Sequence, residues 1–70
     1  MQGLLIMGVD PGIAITGYGL INYSDNRYSI VDYGCIRTAP GIPVPERLNT
    51  LYKELVRIVF KYGPEHYAVE

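Results

Sequence analysis

Seventy residues with one cysteine and one histidine bound the chain to one small domain, and they exclude an internal disulfide and a tetrahedral Cys/His zinc site. Seven acidic and six basic residues give a formal charge of −1, without the positive field of most nucleic-acid binders. No apolar stretch reaches the roughly 20 residues of a membrane span, Met1-Gln2-Gly3 offers no basic lead-in for a secretory signal, and the lone cysteine suits a reducing, intracellular setting, expected to be cytoplasmic, or a chain whose remainder is missing.

The chain opens on Leu4-Leu5-Ile6-Met7-Gly8-Val9-Asp10-Pro11-Gly12. A continuous apolar run closed by Pro-Gly predicts a strand buried on both faces. Asp10 ends that strand, where a carboxylate is costly to desolvate unless something offsets it. As a common first residue of turns, Asp10 also has a purely structural explanation.

Ile15 to Tyr23 has strand composition interrupted by Gly17 and Gly19, which lie on one face and mark close packing or the approach of a ligand. Ser24-Asp25-Asn26 predicts a turn, and Arg27 to Thr38 a third strand that completes an antiparallel meander. Cys35 within it reads as a small buried filler. Arg37 near its end reads as a solvated residue, with phosphate contact as the alternative.

Ala39 to Val44 is a proline-rich connector, and Pro45 suits the first turn of a helix that runs to about Tyr62. Leu48, Leu51, Tyr52, Leu55, Ile58, Val59 and Tyr62 share one face at helical spacing. Glu46 and Lys61 complement the helix dipole, and Gly63-Pro64 stops the helix. His66, just past that stop, reads as solvated. His66 to Glu70 begins a fourth strand, and a strand–helix–strand crossover returns it parallel to the same sheet. If it lies beside the first strand, Glu70 and Asp10 end at one edge.

The expected fold class is thus α/β: three antiparallel strands, a crossover helix and a parallel fourth strand. Two carboxylates side by side repel unless a cation bridges them or one holds a proton. Oxygen donors with open positions suit Mg²⁺ or Mn²⁺, which take further oxygens from water and phosphate. The pattern points to divalent-metal phosphoryl-transfer chemistry.

The motifs GVDPG, TGYG, CIRT, PVPERLNTLYKEL and AVE, in this order and with these gaps, resemble the N-terminal half of RuvC-type Holliday-junction resolvases. The resemblance implies a ribonuclease H-like mixed sheet, with residues 1–70 as the N-terminal half of a single nuclease domain. It implies a site of four carboxylates. Asp10 and Glu70 match two of them, as catalytic residues and metal ligands, and the others belong to a late helix outside these motifs. It further implies two Mg²⁺ ions (Mn²⁺ as a substitute) per complete site, a homodimer, four-way junction DNA as substrate and a branch-migration helicase as partner. The reaction implied is hydrolysis in recombination and repair that leaves 5′-phosphates and 3′-hydroxyls. The 70 residues alone are expected to be inactive. One stretch departs from the family pattern: apolar Ile13-Ala14-Ile15 replaces the basic or polar residue often found after the turn. Two other readings compete: a nucleotide-binding half-domain of the actin, Hsp70 and sugar-kinase type, and a non-catalytic resolvase-like relic.

Overall fold

The computed structural model describes residues 3–70, and its elements are β1 (Leu4–Asp10), β2 (Ile15–Ser24), β3 (Arg27–Arg37), α1 (Val44–Tyr62) and β4 (His66–Val69). The strands form one mixed sheet in the order β3-β2-β1-β4, antiparallel except for the parallel β1–β4 pair. This is the expected meander, crossover and parallel return. Among the described residues no helix is long and apolar enough to cross a membrane.

The β2–β3 hairpin turns at Asp25 and Asn26, both with positive φ (53° and 61°). Two consecutive left-handed residues match the twist of the flanking strands, and Asp and Asn tolerate that region better than most side chains. Farther along, the β2–β3 register shifts between Leu20 and Ile21, where Asp32 and Ile30 are the partners and Val31 has none. Helix α1 starts behind Pro43 without a side-chain cap and ends on Gly63, whose φ of 59° lets its amide return to the Val59 carbonyl at 2.8 Å.

Because paired residues share a face, the register divides the sheet into two. One face carries Leu5, Met7 and Val9 with Tyr18 and Leu20, and α1 packs on it. Met7, Leu20, Ile36 and Ile58 are the buried core, flanked by Leu51, Leu55, Val59 and Tyr62. The opposite face carries Leu4, Ile6, Gly8 and Asp10 with Ile21, Gly19 and Gly17, and no described element covers it.

Three expectations change as a result. Strand β1 is not buried on both faces: Met7 is enclosed but Leu4 is 40% exposed, because a single helix covers a single face. Cys35 is exposed rather than a buried filler, since it lies on the open face opposite Gly17. Leu48 and Tyr52 belong to the apolar helix stripe by spacing yet stay exposed, because the line that docks runs through Leu51, Leu55, Ile58 and Tyr62. Helix α1 also stops short of covering β4, which leaves Tyr67 and Val69 in solvent.

Candidate metal centre

Asp10 is the last residue of β1 and stands opposite Gly17 of β2. The chain leaves the sheet there because Pro11 has no amide to continue the ladder. The turn that follows is fastened from inside by Thr16, which is fully buried. Its hydroxyl donates to the Gly12 carbonyl at 2.7 Å and accepts from the Gly12 amide at 3.2 Å. The turn is also too tight for a side chain at Gly12, where a Cβ would sit 2.4 Å from the Ile15 carbonyl oxygen. Asp10 therefore projects from a backbone held on both sides, the ladder before it and the stapled turn after it.

Glu70 arrives from the other end of the chain. At the start of β4 the Glu65 amide donates to the Leu5 carbonyl at 2.8 Å, and the Leu5 amide donates to Glu65 Oε1 at 3.2 Å. The parallel register then runs from Ile6 opposite His66 to Val9 opposite Val69. Just beyond it, the Glu70 amide donates to the Val9 carbonyl at 3.2 Å. Asp10 and Glu70 are thus the next residues on two neighbouring parallel strands. The structure brings the two sequence-identified carboxylates into one open depression of about 420 Å³, lined by Gly8, Val9, Asp10, Gly17, Ala68, Val69 and Glu70.

The floor of that depression is bare. A Cβ on Gly8 would meet nothing within 4 Å, and one on Gly17 would meet only Asp10 Cβ at 3.9 Å. No described element packs against these glycines, so the close packing expected of the Gly17 and Gly19 stripe is not formed among the described residues. Among the described residues the salt bridge is Arg57–Glu54 on α1, and no ion pair neutralises Asp10 or Glu70. No group of three or more His, Cys, Asp or Glu side chains gathers anywhere among them.

Two carboxylates without an ion-pair partner, beside a depression that Gly8 and Gly17 leave open, fit a hard divalent cation. Mg²⁺ accepts one or two carboxylates and completes its octahedron with water and phosphate oxygens, so the donor set need not be larger. A softer metal would need nitrogen or sulfur donors. The exposed Cys35 lies beyond Gly17, two strands away from β1, and His66 lies at the opposite end of β4; neither lines the depression.

Several residues that shape this region were not singled out from sequence. Thr16 stands inside an apolar strand, and only its contact with Gly12 reveals its use. Thr38 and Arg47 are nine residues apart, in a connector and a helix, and meet at 3.0 Å. Away from the depression, on the helix-covered face, Asp32 in β3 accepts the Tyr62 hydroxyl from α1, a contact across 30 residues with no local signature.

Comparison with known proteins gives a consistent family. The family model described as "Crossover junction endodeoxyribonuclease RuvC" matches residues 6–70. A protein of that name from Pelotomaculum thermopropionicum is 61% identical over 67 residues, which cover 96% of this chain and 41% of the relative. Its namesake from Alkaliphilus oremlandii is 51% identical with the same coverage. The chain thus spans about two fifths of the length of these relatives. Among solved structures, T. thermophilus RuvC in complex with a Holliday junction substrate superposes with a TM-score of 0.88 at 24% identity, over 94% of this chain and 42% of that one. An Aquifex aeolicus PPX-GPPA enzyme superposes with a TM-score of 0.70 at 17% identity, over 94% of this chain and 25% of its own. Both superpositions speak for the fold.

Proposed function

The chain belongs to the crossover junction endodeoxyribonuclease RuvC family, and from that we propose that residues 1–70 supply the N-terminal half of a ribonuclease H-like nuclease domain that resolves four-way DNA junctions. The observation that carries this reading is the convergence of Asp10 and Glu70 in one bare depression at the ends of two parallel strands. In this reading both are catalytic carboxylates and metal ligands. They would hold Mg²⁺, or Mn²⁺ in its place, with two ions in the site once the remaining carboxylates join them.

Bound divalent cations supply activation of the attacking water and charge compensation at the leaving oxygen of the phosphodiester. The residues of this chain contribute position and access. Asp10 and Glu70 are attached to hydrogen-bonded strand ends rather than to a loose loop, which holds their spacing before substrate arrives. Their uncompensated negative charge disfavours an approaching phosphate until cations are bound, so metal loading and substrate entry are coupled. Gly8 and Gly17 keep side chains out of the path along which a sugar–phosphate backbone reaches the two carboxylates.

The remaining roles follow from the family: a cytoplasmic homodimer that cuts two strands of the junction symmetrically, leaves 5′-phosphates and 3′-hydroxyls, and works beside a branch-migration helicase in recombination and repair. The 70 residues alone, with two of four carboxylates, are inactive in this reading. The nucleotide-binding alternative loses support at Thr16. Its hydroxyl is the first after the turn, and it is buried and engaged twice by Gly12 instead of being free for phosphate. The relic reading predicts no chemistry at all. Incubating the full-length protein with a synthetic four-way junction decides among them: paired cuts in Mg²⁺ and none in chelator are expected. Absence of cuts, or calorimetric binding of ATP, would refute the proposal.

A further inference from the structure

The turn behind Asp10 is held from a second side, by residues outside the carboxylate depression. Thr38 follows β3 directly. Its amide donates to the Ala14 carbonyl at 3.0 Å and its hydroxyl donates to the Ile13 carbonyl. The same hydroxyl accepts from Arg47 Nε at 3.0 Å. Arg47 belongs to the first turn of α1, where its own amide donates to the Pro43 carbonyl at 3.1 Å. A guanidinium has donors only, so the Thr38 proton cannot turn toward it and is directed to Ile13. Arg47 therefore determines what the Thr38 hydroxyl does.

Together with Thr16, this secures three consecutive residues after Pro11. Gly12 is fixed through its amide and carbonyl, Ile13 and Ala14 through their carbonyls. The backbone leaving Asp10 has only Pro11, whose φ the ring fixes, before it meets this restraint. The helix start, the end of β3 and the Asp10 turn are tied into one unit.

We propose that Arg47 and Thr38 are positioning residues for Asp10, acting as an outer clamp that keeps its carboxylate at the spacing from Glu70 that cation loading requires. The proposal rests on the reading of Asp10 as a catalytic ligand. Neither residue touches substrate in this role; both act through the Ile13–Ala14 backbone. A loosened clamp leaves junction binding intact and slows the chemical step, because displacement of a reacting group by about 1 Å costs on the order of a hundredfold.

The test uses full-length protein carrying Thr38→Val, Thr38→Ser or Arg47→Met, with Asp10→Asn in parallel. Expected for Thr38→Val and Arg47→Met are single-turnover cleavage rates roughly ten- to a hundredfold below wild type and a higher Mg²⁺ midpoint. Junction Kd measured without divalent cation stays unchanged. Faster amide exchange at Thr38 in Arg47→Met reports the loosened clamp without reference to activity. Thr38→Ser, which keeps the hydroxyl, restores cleavage. Wild-type rates, losses that track weaker binding, or failure of the serine to restore would each overturn the clamp. Should Thr38→Val not fold, Arg47→Met decides by the same criteria. Cleavage by Asp10→Asn would instead overturn the catalytic reading itself, whereas an inactive Asp10→Asn beside a fully active Thr38→Val refutes the clamp alone.

Discussion

The amide of Glu70 donates to the carbonyl of Val9 at 3.2 Å, and this bond sets the last residue of the chain beside the strand end that carries Asp10. Asp10 and Glu70 are 60 positions apart in sequence, so their proximity depends on the whole path between them. The meander must place β1 inside the sheet, α1 must cross over its face, and β4 must return parallel in the right register. A slip of one residue would turn the β4 carboxylate to the helix side.

Thr16 is the inner staple of the Asp10 turn, and its removal tests how much that staple contributes. Thr16→Val keeps the shape but leaves the Gly12 amide without a partner, which is expected to cost about 1–3 kcal/mol. Urea unfolding of the full-length protein measures it. An unchanged unfolding midpoint would show that Gly12 finds another acceptor.

Gly8 separates stability from access. In a strand interior glycine is weaker than alanine by roughly 0.5–1 kcal/mol, and a Cβ there meets nothing within 4 Å. Gly8→Ala is therefore expected to raise the melting temperature slightly while reducing junction cleavage, because the methyl group enters the depression. Thermal denaturation and a cleavage assay on the same preparation check both signs. A stabilised variant that cuts at the wild-type rate would remove the floor from the site.

The contact between Asp32 and Tyr62 makes part of the helix docking dependent on pH. The Tyr62 hydroxyl, and after it the Tyr33 amide at 2.8 Å, hold the Asp32 carboxyl below its ordinary 3.8, against the opposing effect of burial. The same bond raises the Tyr62 phenol above its ordinary 10.0. A lowered carboxyl stabilises above its unfolded value and loses that contribution as pH falls through the folded one. A raised phenol stabilises below its unfolded value and loses the contribution as pH rises through the folded one. Tyr62→Phe should thus lower the urea midpoint at neutral pH. The difference should shrink below pH 3.8 and above pH 10.0. A difference independent of pH would assign the effect of Tyr62 to ring packing.

Much of this fold is written in local patterns. The apolar run closed by Pro11-Gly12 marks β1, Asp25-Asn26 marks the hairpin, and the stripe through Leu51, Leu55 and Ile58 marks a helix with one covered face. The parallel return of β4 follows from the chirality of the crossover, and it is this that brings Asp10 and Glu70 to one edge. What stayed hidden depends on which face of a strand is covered. Cys35 and Leu4 look like core residues by composition, and only the single helix on a two-faced sheet explains their exposure. The polar contacts Thr16–Gly12, Thr38–Arg47 and Asp32–Tyr62 join residues whose types are common in strands, connectors and helices, and no spacing announces them.

Central to the account is the role of Asp10 as a metal-binding catalytic carboxylate, and Asp10→Asn in the full-length protein tests it most directly. The substitution keeps size and shape, and the turn does not depend on it, since Thr16 and Thr38 hold the backbone. The account predicts a folded protein whose junction affinity in the absence of divalent cation is no weaker than wild type and whose cleavage rate in Mg²⁺ is lowered by roughly a hundred- to a thousandfold, the scale of removing a principal electrostatic group from an active site. Cleavage at or near the wild-type rate would contradict it.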